Sequence, residues 1–405
     1  MTAMTEPPAE RFQLSMLLYD RRYRSMTIQI VALIGFMLFI GWLVTNAAYN
    51  LAALGKPLGF DFLGDPAGYD INQRLIEYTS QSTHLRAAAV GLLNTLLVAF
   101  LGCILATIVG VLVGVLRLSS NWIVARIMTV YVEIFRNVPV LLWIVFAMAI
   151  FIETLPAPRA FRGDNATASM LLGDSVALTN RGWYVPAPVF ESGSMIVVLV
   201  FLASIIGMFV FGRWAKARQE ATGEILPTFW IKLAIFIVPA LVFYFLMGRP
   251  IGLEYPELKG FNFKGGIYMR NSLIALWLAL SFYTAAFIAE IVRAGILSVS
   301  KGQTEAAYAL GLRPNRTMNL VILPQALRVI IPPLISNYLN LTKNSSLAIA
   351  VGYMDFTGTL GGITLNQTGR EMECLLLLML GYLIISLSIS AVMNWYNESV
   401  KLRER

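Results

Sequence analysis

Six stretches of this chain run for 16 to 31 residues without an Asp, Glu, Lys or Arg: Ser25 to Gly55, Ala88 to Leu116, Ser192 to Gly212, Leu233 to Gly248, Asn271 to Ala289 and Cys374 to Asn397. About 20 apolar helical residues cross the hydrocarbon of a bilayer, and a charge at its centre costs about 2.5–3.5 kcal/mol, so such runs read as transmembrane helices. Two less regular stretches join them. Ile127 to Ile152 carries Glu133 and Arg136 in its first half and Pro139 at its middle, and Val329 to Met354 carries Pro332, Pro333 and Lys343. Broken or charged spans are where transporters keep their moving parts. The expectation is an all-α membrane protein of about eight transmembrane helices. With 57% hydrophobic and only 13% charged residues, against about 25% charged in soluble domains, an ordinary soluble enzyme is excluded.

Lys and Arg accumulate on the cytoplasmic side of short loops. With the N-terminus inside, the inside segments hold 17 of them and the longer outside segments 11, which predicts that both termini are cytoplasmic. The net charge of +8 arises from residues flanking the spans, and no separate basic module points to nucleic acid. Cys103 and Cys374 lie in apolar runs and His84 has no partner cluster, so no disulfide framework or metal site is expected. The first apolar run far exceeds the 7–15 residues of a signal-peptide core and reads as an uncleaved span. Gly110 and Gly114 make a GxxxG step, assigned to helix packing. A short echo pairs Glu133-Ile134-Phe135-Arg136 with Glu290-Ile291-Val292-Arg293 without establishing a repeat.

Between the sixth and seventh spans lies a polar stretch, Ser298 to Arg328, expected in the cytoplasm. Lys301 to Leu310 predicts a short helix, Gly311 a left-handed C-cap turn, and Pro314 a stop; a second apolar segment runs from Met318 to Leu323 before Pro324. By physics alone this is either an interfacial element offering Glu305 and small side chains to another protein's surface, or a plain connecting loop.

The residues Glu305-Ala306-Ala307, Gly311 and, after nine intervening residues, Val321-Ile322-Leu323-Pro324 resemble the EAA loop of ATP-binding-cassette (ABC) importer permeases, with Val321 where that pattern usually has Ile. Arg117-Leu118-Ser119, the run Tyr131 to Pro139, the run Ala289 to Ile296 and the run Leu341 to Leu347 narrow the resemblance to the polar amino-acid permease family; Asn137 stands where glycine is common before the proline. The resemblance covers a five-span core, Ala88 to Ile152 plus Asn271 to Asn397, and the extra first span and inserted pair look like the general L-amino-acid transport subgroup. The layout it implies is a cytoplasmic tail (1–24), an additional first helix and periplasmic loop (25–87), the first part of the core (88–152), inserted periplasmic loops with two extra helices (153–270), and the second part of the core (271–405) with the coupling loop at 298–328.

That resemblance implies a permease subunit of an ATP-driven importer of L-amino acids in a bacterial inner membrane. Its implied partners are a cytoplasmic ABC ATPase dimer docked at Glu305, Ala306, Ala307, Gly311 and Pro324, a second permease subunit, a sister chain rather than itself, and a periplasmic amino-acid-binding protein. No G-x-x-x-x-G-K-[ST] loop occurs; the pair Gly55-Lys56 is followed by Pro57, so the chain is not expected to hydrolyse ATP itself, and the resemblance implies that it binds no cofactor and that the partner ATPase uses the nucleotide. An amino acid carries an ammonium and a carboxylate. Glu290, Arg293, Lys343, Asn344, Ser345 and Ser346 are the intramembrane groups available to line its path, although Glu290 and Arg293 could instead pair with each other and Lys343 could contact a partner chain. The rival is an ion-coupled secondary carrier, which calls for intramembrane carboxylates and paired halves; Glu133 and Glu290 are its only candidates.

Overall fold

The computed structural model describes residues 19–53, 55, 58–163 and 166–400. Most of the N-terminal tail, Lys56 and the basic residues Lys401, Arg403 and Arg405 lie outside them. Seven of the described helices are long and apolar enough to cross a membrane, and one bent pair could add an eighth crossing.

The chain runs through helix α1 (Arg21–Ala53), α2 (His84–Leu116), α3 (Trp122–Asn137) and α4 (Val140–Thr154). Thr83 caps α2 by accepting from the Arg86 amide, and Asn121 caps α3 by accepting from the amides of Ile123 and Val124. The expected single span Ile127 to Ile152 is in fact α3 and α4, meeting at 106°. The cause is local. A residue before proline is pushed out of the helical region, and Val138 is extended (φ −109°, ψ 133°) ahead of Pro139.

Three short strands follow, β1 (Ala177–Thr179), β2 (Gly182–Val185) and β3 (Ala187–Phe190), then the helices α5 (Ser194–Thr222) and α6 (Thr228–Leu246), then β4 (Ile251–Glu254), β5 (Glu257–Lys259), β6 (Asn262–Lys264) and β7 (Ile267–Arg270). The strands are an addition to the expected helices. β3 pairs antiparallel with β4, and β2 pairs with both β1 and β7, so the two ends of the insertion are held together by backbone hydrogen bonds. A small aromatic core of Tyr184, Phe263 and Tyr268 backs this sheet. Burial pushes the Tyr184 phenol up to about 12, and its hydroxyl donates to Asn262 Oδ1 at 2.8 Å. α5 and α6 pack chiefly on each other, as where Phe201 meets Phe236.

α7 (Asn271–Leu297) is the axis of the core, packed by α2, α3, α4 and α10 (Leu323–Asn344), and α10 also touches α2. Small residues set the close approach of α2 to α7. A Cβ on Gly110 would lie 2.7 Å from Ile288 Cβ, and one on Gly114 would lie 2.7 Å from the Ala289 carbonyl. The packing role expected of the GxxxG step is what the helices use.

After α7 come α8 (Lys301–Ala309), the single turn α9 (Pro314–Thr317) and a π-helical turn, Met318–Ile322, that leads directly into α10. Helical backbone thus continues from Pro314 to Asn344. Pro324 does not end a separate segment, as the sequence suggested. It lies inside the continuous helical run, directly after the π-helical turn, whose widened backbone accommodates a residue with no N–H to donate. Pro332 and Pro333 also lie inside unbroken helix. A 3₁₀ segment, Ser345–Val351, ends at Gly352 (φ +67°); a π-helical segment, Thr357–Thr364, α11 (Leu365–Thr368) and α12 (Glu371–Val400) complete the chain.

Candidate functional site

Residues with functional promise gather in three places along the α2–α7–α10 core. The first is the connection from α7 to α10. Leu312 N–H donates to the Ala307 carbonyl at 3.1 Å and Gly311 N–H to the Tyr308 carbonyl at 2.9 Å, with Gly311 at φ +77°. These two bonds form a Schellman cap, which needs a left-handed residue at this point. Glu305 and Ala306 are exposed on α8, whereas Ala307 is buried, so the three EAA residues do not share one face. Pro324 is separated from them by the turn and lies at the start of the long helix.

The second place is a charged node near the end of α2. Glu290 of α7 pairs with Arg117, approaches Arg136 of α3 at 3.9 Å, and takes Arg293, one turn on, at 3.2 Å. Arg136 also lies over the Phe287 ring, 5.4 Å from its centroid. The expected Glu290–Arg293 pair is present, and the echo seen in the sequence becomes a contact: the Arg of the first tetrapeptide reaches the Glu of the second. Glu133 goes elsewhere, accepting from Asn137 on its own helix. Arg117 and Arg136 stood in the quoted runs, but spacing alone could not assign them to Glu290.

The third place follows α10. Lys343 is exposed on the isolated chain and lines an apolar cleft of about 620 Å³ beside Leu378, Tyr382 and Leu383 of α12. Ser345 is buried and donates to the Thr342 carbonyl at 2.8 Å; Asn344 and Ser346 are half-buried. Lys343 and Glu290 therefore belong to different parts of the core and form no common cluster.

Close to Ser345 in sequence is a residue that the sequence analysis missed. Asp355 is fully buried; its carboxylate accepts from the Gly358 amide at 2.8 Å and from the Tyr382 hydroxyl at 3.2 Å. Around it Thr95 accepts from the Phe356 amide, and Asn94 donates to the carbonyls of Met354 and Gln73. This network ties α2, α12 and the segment 352–364 together. The available signal was its isolation: between Lys343 and Arg370, Asp355 is the only charged residue. Among the described residues no group of His, Cys, Asp and Glu could hold a metal ion.

A membrane-embedded helical core, a capped helix–turn–helix connection and a buried polar segment after the proline-bearing helix define a transport permease. Residues 221–404 match the family of binding-protein-dependent transport system inner membrane components. The chain belongs to the permease subunits of amino-acid ABC importers. It is 56% identical over all of both chains to the glutamate/glutamine/aspartate/asparagine transport system permease protein BztB of Rhodobacter capsulatus. It is 45% identical to the general L-amino acid transport system permease protein AapQ of Rhizobium johnstonii, covering 96% of this chain and 95% of the relative. A putative amino-acid ABC transporter permease, YhdX of Escherichia coli, is 44% identical over 94% and 95%. Subunits of this family are not enzymes, and ATP hydrolysis belongs to a separate subunit. The family implies an ATPase, a binding protein and an inner-membrane setting. An ion-coupled carrier finds no support among these relatives.

Proposed function

We propose that this chain is one half of a permease pair that imports acidic and amide L-amino acids, with both termini in the cytoplasm and a sister permease as its other half. The substrate class rests on the 56% identity to BztB, whose name specifies glutamate, glutamine, aspartate and asparagine. The loop 298–328 docks on a cytoplasmic ATPase dimer through Glu305, Ala306 and the turn at Gly311, with Ala307 packing α8 down and Pro324 on the helix that carries the motion inward.

One observation supports this most strongly. Helical backbone runs without interruption from Pro314, just past the docking turn, to Asn344, where the Lys343–Ser346 segment begins. Movement imposed on α8 by closure of an ATPase dimer is then delivered by a rigid element to the middle of the core. Glu290, through Arg117 and Arg136, holds α7 to α2 and α3 beside that lever, with Arg293 paired to it on α7, while Lys343 reaches from the exposed face toward the second permease subunit.

The test is cross-linking in the intact complex, with a cysteine at Glu305 and, in a separate variant, at Asp174. The Glu305→Cys chain should cross-link to the ATPase and react only with cytoplasmic thiol reagents, and Asp174→Cys should react only from outside. Labelling of both from the same side would overturn the topology. Co-purification with a second copy of this chain in place of a sister permease would overturn the pairing.

A further inference from the structure

A cavity of about 380 Å³ lies at the strand-bearing end of the core, where the inserted sheet meets α7. Its polar lining comes from Asn180 and Arg181 on the β1–β2 turn, Tyr268 and Arg270 on β7, and Asn271 and Ser272 in the first turn of α7; α4 supplies an apolar wall, and Gly352 lines the cavity too. This volume falls in the usual range of small-molecule sites, about 300–1,000 Å³.

Its chemistry is one-sided. Two arginines line it and no acidic residue does, and neither Arg181 nor Arg270 forms an ion pair among the described residues. The positive end of the 27-residue helix α7 adds to the same field. Beside the cations are acceptors without donors. Asn271 and Ser272 are 2% and 4% exposed, and Asn271 Oδ1, Ser272 Oγ and Asn180 Oδ1 have no hydrogen-bond partner. The Asn271 amide is oriented by its Nδ2, which donates to the Thr179 carbonyl at 3.1 Å, so the vacant atom is an acceptor. Buried polar atoms left unpaired are costly, and a ligand that supplies donors relieves them.

Cations together with unfilled acceptors match a zwitterion. We propose that this cavity is an entry subsite for a free amino acid, its α-carboxylate on Arg181 and Arg270 and its α-ammonium met by the buried oxygens of Asn180, Asn271 and Ser272, which turn toward it on binding. The inference rests on the import function proposed above. Gly352 also lines a second cavity, of about 350 Å³, with Tyr353, Met354 and Gly358. The subsite therefore adjoins a space beside the Asp355 network, and a bound amino acid has a next position to occupy.

The experiment uses the complete permease–ATPase complex in nanodiscs, without binding protein, and measures equilibrium binding of radiolabelled L-glutamate; the same complex with binding protein is assayed for ATP-driven uptake in proteoliposomes. Arg270→Gln and Arg181→Gln should each weaken L-glutamate binding about tenfold or more, as expected for loss of a charge-assisted hydrogen bond, and Arg270→Lys should fall between. γ-Aminobutyrate, which lacks the α-carboxylate, and N-acetyl-L-glutamate, which lacks the ammonium, should fail to compete. Arg181 is exposed on a turn, so its variant separates ligand loss from misfolding. Wild-type binding by both Gln variants in a complex that transports would overturn the subsite alone. A wild-type complex without ATP-driven uptake would overturn the reading beneath it.

Discussion

Arg117, the residue that ends α2, and Glu290, on the middle helix of the core, form an ion pair that fastens two helices at the end of the bundle opposite the strands. The Arg117 side chain is only 8% exposed, and the same carboxylate also serves Arg293 and Arg136. One acid thus organises three cations. Removing the acid leaves a nearly buried guanidinium without a counter-charge, whereas removing Arg293 leaves the others paired.

Glu290→Ala is accordingly expected to destabilise the chain by about 1–3 kcal/mol, the cost of leaving a buried charged donor unmet. Thermal denaturation of the detergent-solubilised complex should show a lower midpoint for Glu290→Ala than for Arg293→Ala. The double change Arg117→Met with Glu290→Leu should recover most of the loss. A midpoint unchanged by Glu290→Ala would contradict the node.

Gly311 is predicted to be replaceable by Asn but not by Val. A Cβ there would meet nothing within 4 Å, so space is no obstacle; the φ of +77° is. Asn tolerates the left-handed region, while a β-branched residue is strained there by about 1–3 kcal/mol. Uptake and ATP hydrolysis measured in the same vesicles should remain coupled in Gly311→Asn and separate in Gly311→Val. Equal behaviour of the two variants would count against the cap.

Gly110→Ala should lower stability by about 1–3 kcal/mol, because the new methyl would sit 2.7 Å from Ile288. Gly207→Ala, on α5, is the control, since its Cβ would meet only Ile235, at 3.4 Å. Comparable yields of folded complex from both would contradict the close approach of α2 to α7.

Lys343→Met distinguishes the two uses of that ammonium. As a residue reaching the second permease subunit, it is expected to lower recovery of the assembled complex before it lowers uptake per complex. Normal assembly with lost uptake would place Lys343 on the substrate instead, and normal values of both would exclude each role.

The spans were legible because charge is so costly in hydrocarbon that its absence marks them almost by itself, as from Asn271 to Ala289. Gly311 was legible because a short helix followed by glycine and proline has few other solutions. The sharp bend at Val138 was written in Pro139, with Glu133 and Arg136 just before it, yet the length of Ile127 to Ile152 suited a single span and concealed it. Pro324 misled in the opposite direction: a widened turn lets a helix run through proline, and the π-helical turn before it could not be foreseen from composition. The strands β1 to β7 escaped because they are three or four residues long, too short for alternation to be read. The partners of Asp355 and the Arg117–Glu290 pair depend on contacts between residues far apart in the chain, which no local pattern encodes.

Uptake of radiolabelled L-glutamate into proteoliposomes bears most directly on a permease driven from outside its own chain. With the sister permease, ATPase and binding protein present, uptake should require ATP on the cytoplasmic side and persist when proton and sodium gradients are collapsed. Uptake by this chain alone, driven by an ion gradient and indifferent to ATP, would contradict it.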